Sequence, residues 1–153
     1  MTQSIPIKPH HLLDIIRDIG AGREHTPHRL GHDVHRIAEL VRSKQPVRFS
    51  FTEGDDAICA PCSRLYGHIC TDTTDTVGFL VEKDAYNRAI DRRLMKRLGI
   101  TENGEMSLED FCNTVREKLG DITSIYLEVD PAQTAARAEN IRRGLDILNG
   151  PCC

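Results

Sequence analysis

Residues 55–70 read DDAICAPCSRLYGHIC, and we expect the rest of the chain to be arranged around them. Three of the six cysteines of the chain fall within twelve residues here, at Cys59, Cys62 and Cys70. The first two form a C-x-x-C turn, which brings two thiolates to one side of a tight loop. Pro61 stiffens this loop by fixing its own φ, and Gly67 allows the chain to turn back so that the third cysteine approaches. The spacing therefore predicts a metal or iron–sulfur site.

The composition bounds the architecture. A length of 153 residues predicts one domain that covers residues 1–153. Hydrophobic residues make up 39% of the chain, aromatic residues make up 5%, and tryptophan is absent, so the core should be aliphatic. The formal net charge of −3 argues against general affinity for nucleic acid, which we do not expect as a partner.

The same composition bears on location. No apolar run approaches the roughly 18 residues that a membrane helix needs, so we expect no membrane insertion. Residues 1–6 lack the apolar core of a secretory signal. A cytoplasmic location follows as a prediction, and thiols are kept reduced there. Six cysteines then indicate metal or redox chemistry rather than a disulfide framework.

Periodicity and cap residues predict an α+β domain that is mostly helical, with about five helices, one or two short strands and a cysteine-rich metal-binding loop. The expected helices cover residues 10–19, 26–43, 82–98, 107–120 and 131 onward, the last with Ala138, Ile141, Leu145 and Leu148 on one face. The expected strands cover residues 47–52 and 124–129. Residues 71–77 are expected to be irregular.

Four histidines recur at helical spacing within the second predicted helix or just before it: His25, His28, His32 and His35. The apolar residues of that helix fall on the opposite face, so this histidine stripe should face outward. We interpret it as a solvated surface. The alternative is that His28 and His32, one turn apart, bind a divalent metal at a partner interface.

Several short segments together carry a family resemblance. They are Pro9-His10-His11-Leu12-Leu13, Asp55-Asp56-Ala57-Ile58-Cys59-x-x-Cys62, Gly67 to Cys70, and Asp91-Arg92-Arg93-Leu94 before Leu98-Gly99. In this order they resemble the small prokaryotic domain-of-unknown-function family 1284, which has been supposed to bind an iron–sulfur cluster. The segments cover roughly the first two thirds of the chain. The resemblance implies a cofactor and does not imply a reaction.

The identity of the metal depends on which signal is followed. Structural zinc takes four ligands, usually as two pairs, and the ferredoxin cysteine runs differ from C-x2-C-x7-C. Spacing alone leans slightly to zinc, whereas the resemblance favours a [4Fe–4S] cluster. A thioredoxin-like dithiol is disfavoured because no βαβ pattern surrounds the C-x-x-C.

Three cysteines leave one ligand position open, for zinc or for a four-iron cluster. The candidates are His10, His11, Cys112, Cys152, Cys153 and an exogenous group. Cys112 fits the apolar face of its predicted helix, so we interpret it as a core residue. We prefer His11, because Asp14 three residues later could accept the other ring N–H and fix the tautomer.

A basic helix follows the cysteines. Its Arg92 and Arg93 belong to a segment that resembles the family, and we expect them either to have a structural role or to hold an anionic small molecule by paired hydrogen bonds. RNA contact is the alternative.

Two function classes remain open. One is a cytoplasmic iron–sulfur protein with redox or small-molecule chemistry, and the other is a zinc-binding structural or regulatory module without catalysis. The sequence decides neither enzymatic activity nor oligomeric state.

Overall fold

The computed structural model describes residues 4–150, so Cys152 and Cys153 lie outside the described residues. Within this range the elements follow one another as β1 (Ser4–Ile7), α1 (Pro9–Gly20), α2 (Val34–Arg42), β2 (Arg48–Phe51), β3 (Leu65–Tyr66), β4 (Ile69–Cys70), β5 (Thr73–Thr74), β6 (Val81–Glu82), α3 (Lys83–Leu98), β7 (Glu105–Ser107), α4 (Leu108–Lys118) and α5 (Pro131–Asn149). This is an α+β fold that is mostly helical, as the sequence predicted.

A small sheet supports the first helix. β1 runs parallel to β2, and β2 runs antiparallel to β7. The apolar residues of β1 and β2 alternate with polar ones, so one face of the sheet enters the core. Ile5 stands beside Phe49 and Ile7 beside Phe51 on that face, and all four are buried. Pro6 is tolerated because β1 lies at the edge of the sheet.

The first and last helices pack closely against each other. α1 buries Leu12, Leu13, Ile15, Ile16 and Ile19, and α5 is its most extensive neighbour. Gly144 of α5 lies against the backbone of α1: a Cβ built there would stand 1.9 Å from the carbonyl oxygen of Ile16. Gly20 of α1 faces α5 in the same way, because a Cβ built on Gly20 would stand 1.8 Å from the carbonyl oxygen of Asn140. The two helices therefore approach to a distance that only glycine permits.

The predicted boundaries of the later helices agree with the structure. Gly99 ends α3 in the left-handed region, with φ of 70°. Ser107 begins α4, and its hydroxyl accepts a hydrogen bond from the Asp110 N–H. Asp130 begins α5 in the same way, accepting from two backbone N–H groups, with Pro131 at the first helical position.

The second predicted helix begins eight residues later than expected. Residues 26–33 form a loop, and α2 starts at Val34. Gly31 takes a φ of +80°, which a helix does not allow. The loop instead bonds to the cysteine segment, where Leu30 accepts from the N–H of Ser63 at 2.7 Å and Asp33 donates to Ile58 at 3.0 Å. The four histidines therefore do not share one helical stripe, because His25, His28 and His32 precede α2. His28 is exposed, as the surface interpretation expects, and the other three are half-buried.

Three further predictions differ from the structure. Residues 124–129 do not form a strand, because Ile122–Ser124 is a 3-10 turn and the bonds that follow are also of turn type. Ile125 and Tyr126 are both buried, so the alternation that a strand needs is missing.

On α5, Ala138 is exposed, and Thr134 and Gly144 join Ile141 and Leu145 on the buried face. Residues 71–77, expected to be irregular, contain β5, which pairs with β6.

None of the helices within residues 4–150 is both long enough and apolar enough to cross a membrane.

Candidate metal centre

The cysteine segment forms a turn followed by a small hairpin. The N–H of Cys62 donates to the carbonyl of Cys59 at 2.8 Å and closes the C-x-x-C turn. Cys70 lies on β4, opposite Leu65 of β3. Gly67 and His68 connect the two strands, both with positive φ, as tight hairpin turns require. The hairpin thus returns Cys70 towards the turn, in the way that Gly67 was predicted to allow.

Asp56 connects this segment to the start of α1. One carboxylate oxygen accepts from the Lys8 N–H at 2.8 Å and from Nδ1 of His11 at 2.7 Å. The other oxygen accepts from the Cys59 N–H at 2.9 Å. Burial alone would raise the pKa of Asp56, but the His11 charge and these hydrogen bonds lower that pKa well below its usual range.

Asp91 of α3 holds the neighbouring histidine in a parallel arrangement. It accepts from the backbone N–H of His10 and from Nδ1 of the same residue, both at 2.8 Å. Burial opposes the charged imidazole, but the Asp91 carboxylate outweighs it and raises the pKa of His10. The two imidazole rings lie side by side, with centroids 4.3 Å apart. Each ring uses Nδ1 for its aspartate, which leaves Nε2 as the atom available to a ligand.

The clustered cysteines and the two histidines of α1 line one cleft of about 550 Å³. Its walls include all three clustered cysteines and four histidines, namely Cys59, Cys62, Cys70, His10, His11, His28 and His32. The last two come from the 26–33 loop, and their rings stack at 4.4 Å. Burial and the nearby His28 lower the pKa of His32. The cleft therefore offers thiol and imidazole donors together.

The electrostatics of the cleft differ from those of the whole chain. Six lysines and arginines line it against three aspartates, although the chain carries a formal charge of −3. The excess of positive charge in the cleft does not favour ionisation of Cys59, because burial and the adjacent Asp56 carboxylate raise the pKa of its thiol to about 12. Ionising this thiol therefore requires a compensating positive charge, such as a metal centre.

The donor set fits a metal. Among the described residues, His11, Asp56 and Cys59 form the group of His, Cys, Asp or Glu whose donor atoms all lie within 4.8 Å of one another. Both oxygens of Asp56 already accept hydrogen bonds, so Asp56 serves better to orient His11 than to bind metal directly. The described cysteines, Cys59, Cys62, Cys70 and Cys112, are all free of disulfides.

Comparison with known families identifies the chain's relatives. The model of a family described as protein of unknown function (DUF1284) matches residues 29–126, more than half of the chain. The chain belongs to the DUF1284 family. A comparison with curated proteins found no match, and a comparison with solved structures found none either. The DUF1284 match contains the three clustered cysteines but begins after the segment Pro9–Leu13, which we had counted towards the resemblance.

The structure gives Asp14 other partners than predicted and leaves Cys112 in the core. Asp14 lines the cleft but pairs with Arg17 at 3.2 Å and Arg137 at 2.5 Å, so the histidine partners are Asp56 and Asp91 instead. Cys112 is buried against a separate cavity of about 370 Å³, where burial raises its pKa to about 11. It lies outside the walls of the cysteine cleft and fits the core interpretation.

Arg92 and Arg93 also lie outside the walls of the cysteine cleft. Arg92 forms a bidentate pair with Glu53, with both N···O distances 3.0 Å. Arg93 pairs with Glu128 and donates to the carbonyl of Ile125. The predicted anion site is therefore not at these two residues, since carboxylates already occupy their guanidinium groups. The cationic residues that do line the cleft include Lys8, Arg64, Lys83 and Arg137.

Sequence reasoning missed the residues that complete the site from a distance. Asp56 and Asp91 stand 45 and 81 positions from the histidines that they hold. Asp56 carries a local signal, because it precedes the first cysteine by three residues and can bond to its N–H. Arg137 and Tyr126 carry no such signal, since only the packing of α5 brings them to the cleft.

Proposed function

We propose that this member of the DUF1284 family is an iron–sulfur protein whose [4Fe–4S] cluster is held by Cys59, Cys62 and Cys70. The observation that carries the proposal is that all three thiols line one cleft and remain free of disulfides. Two histidines of α1, each fixed by a buried aspartate, line the same cleft. Soft thiolate donors suit iron–sulfur clusters and zinc.

The spread of the thiols supports a polynuclear centre. Zinc holds its thiolates about 2.3 Å away in a tetrahedron, so the sulfurs of one zinc site lie about 4 Å apart. The three thiols do not form a group within 4.8 Å, since the group with that spacing combines Cys59 with His11 and Asp56. Cysteines that bind different irons of one cluster stand farther apart than cysteines on one ion, and the cleft has room for them.

His11 is the protein group best suited to the fourth position. It lines the cleft with the three cysteines, and Asp56 holds its Nδ1, which leaves Nε2 for a metal. A fourth iron with an exchangeable ligand would bind small molecules, whereas one ligated by His11 would be limited to a change of redox state. His10, held the same way by Asp91, is then a neighbour that can exchange a proton with a bound molecule.

A zinc-binding structural or regulatory module is the second candidate. The observation that favours it is the close spacing of the donors of His11, Asp56 and Cys59, which fits a single ion. Such a site would contribute to stability rather than to chemistry.

Anaerobic purification tests the proposal directly. We expect a brown protein with about four iron and four sulfide per chain. C59A, C62A and C70A should each lose most of this iron and sulfide, because each removes one cluster thiolate. C112A is the matched control: it removes a buried thiol elsewhere and should keep the full content. A colourless protein with stoichiometric zinc would favour the second candidate and exclude the cluster.

The fourth position is tested by a pair of variants. H11A should change the absorption and electron paramagnetic resonance spectra of the cluster, whereas H10A should leave the iron content unchanged. If H11A keeps full metal content and an unchanged spectrum, His11 is not a ligand, and an exogenous group takes that position.

A further inference from the structure

The cleft also contains polar groups that the proposed metal centre does not use. Arg137 of α5, Tyr86 and Asn87 of α3, and Tyr126 are among its lining residues. They come from three separate parts of the chain, and Asp14 of α1 stands beside them. We call these four lining residues the Arg137 group.

Arg137 is a largely buried cation with unused donors. Its side chain is only 16% exposed, and its guanidinium lies 4.5 Å above the ring of Tyr126. Within residues 4–150, its one hydrogen bond joins Nη1 to the Asp14 carboxylate at 2.5 Å. A guanidinium has five N–H donors in a planar fork, so most of them remain free to bind a planar anion.

Tyr126 supplies a second donor. The residue is only 3% exposed, and its buried hydroxyl has no hydrogen-bond partner among the described residues. An unpaired buried polar group destabilises the folded protein, and such a group in a native protein calls for a physical reason. Burial, together with the charge of Asp14, raises the pKa of Tyr126, so the hydroxyl keeps its proton and can donate it to an anion.

We propose that the Arg137 group binds a small organic carboxylate, with the Arg137 fork and the Tyr126 hydroxyl as donors. The Asp14 carboxylate cancels part of the local positive charge, so a singly charged group fits better than a doubly charged phosphate. The planar fork also matches the geometry of a carboxylate. The placement of this ligand beside a reactive iron rests on the proposed function, whereas the binding itself depends only on the residues named.

Calorimetric titration of the anaerobically purified protein tests the proposal, with lactate as probe and inorganic phosphate as comparison. We expect lactate to bind more tightly than phosphate. Y126F removes one hydrogen bond to a charged partner, so it should weaken lactate binding about tenfold or more. The thermal unfolding temperature of Y126F should be unchanged or higher, because the lost hydroxyl has no partner among residues 4–150.

R137Q should weaken lactate binding at least as much, and R92Q is its matched control. Arg92 pairs with Glu53 outside the walls of the cysteine cleft, so R92Q should bind lactate as the wild type does. Iron and sulfide are measured in every variant, and both should stay at the wild-type level. R137Q also breaks the Asp14 pair, so Y126F remains the decisive variant if R137Q unfolds.

The proposal is overturned if the wild type does not bind lactate, if Y126F binds it unchanged, or if phosphate binds more tightly. A protein without iron or sulfide that still binds lactate through Tyr126 would refute the metal proposal and leave the carboxylate proposal standing. A brown protein with full iron and sulfide that does not bind lactate would refute the carboxylate proposal and leave the metal proposal standing.

Discussion

Asp56 and Asp91 cap the start of the first helix from outside that helix. The first N–H groups of a helix have no partner within it, and its N-terminus favours negative charge. Lys8, in the cap position of α1, makes no side-chain cap, and the two buried carboxylates take that role from the cysteine segment and from α3. The same contacts fix the rings of His10 and His11, so helix start and site geometry are set together.

A matched pair of substitutions separates these two aspartates. D56N and D91N should each lower the free energy of unfolding by about 3 kcal/mol, because each leaves buried donors without a charged acceptor. If His11 binds the metal, D56N should in addition weaken metal binding about 10–100-fold. D91N should leave metal binding near the wild-type value. Chemical denaturation and metal analysis measure the two effects separately.

The test of His11 as a ligand is the difference in metal content between D56N and D91N. Equal loss of metal in D56N and D91N would show that both act only through the stability of α1, and the assignment of His11 as a ligand would then lose its support.

At the scale of single residues, the sequence predicted which cysteines and histidines line the cleft better than it predicted which aspartates hold the histidines. The three cysteines and the two histidines of α1 line one cleft, and their residue types and local spacing were enough to select them. The partner of His11 was predicted as Asp14 because it is near in sequence. The structure pairs Asp14 with Arg17, three residues later on the same helix, and with Arg137, which only the packing of α5 makes available.

The contact between α1 and α5 depends on Gly144. G144A should destabilise the protein by about 3 kcal/mol, because the added Cβ would collide with backbone atoms of Ile16 rather than with a flexible side chain. Thermal and chemical denaturation measure this. G54A is the matched control, since its new Cβ would come no closer than 3.4 Å to Thr52 Oγ1, and we expect a change within about 0.5 kcal/mol. Equal stability of the two variants would contradict the close helix approach.

Elements with strong local signals were predicted well, and elements defined by distant pairing were not. Gly99, Ser107 and Asp130 mark the ends of helices through local hydrogen bonds and φ, and the structure confirms all three. The residues from Thr26 to Asp33 have an acceptable helical pattern, but bonds to the cysteine segment hold them as a loop. Sequence periodicity cannot register such tertiary competition.

For the whole molecule, removal of the proposed metal centre should loosen one region selectively. Residues 55–70 bury little apolar surface, with Ile58 as their one apolar side chain in the core, whereas α1 and α5 have an extensive apolar core. Hydrogen exchange after anaerobic chelation should therefore accelerate in residues 57–74 and in the 26–33 loop that is bonded to them. Exchange in α1 and α5 should change little, and the far-ultraviolet circular dichroism should keep its helical shape. Loss of all helical signal on chelation would make the metal the main determinant of folding.

The close contact between α1 and α5 also has a consequence for the order in which the chain is made. A ribosome adds about 5–20 residues per second from the N-terminus, so the first helix waits until residues 131–149 have appeared before its Ile16 face is covered. Until then His10 and His11 stand on a helix without its main neighbour, although the cysteines have already been synthesised. Assembly of the site is therefore a late event in the life of the nascent chain. A fragment that ends at Tyr126, where the family match ends, would contain every clustered cysteine and still lack the helix that packs against α1, which carries both histidines.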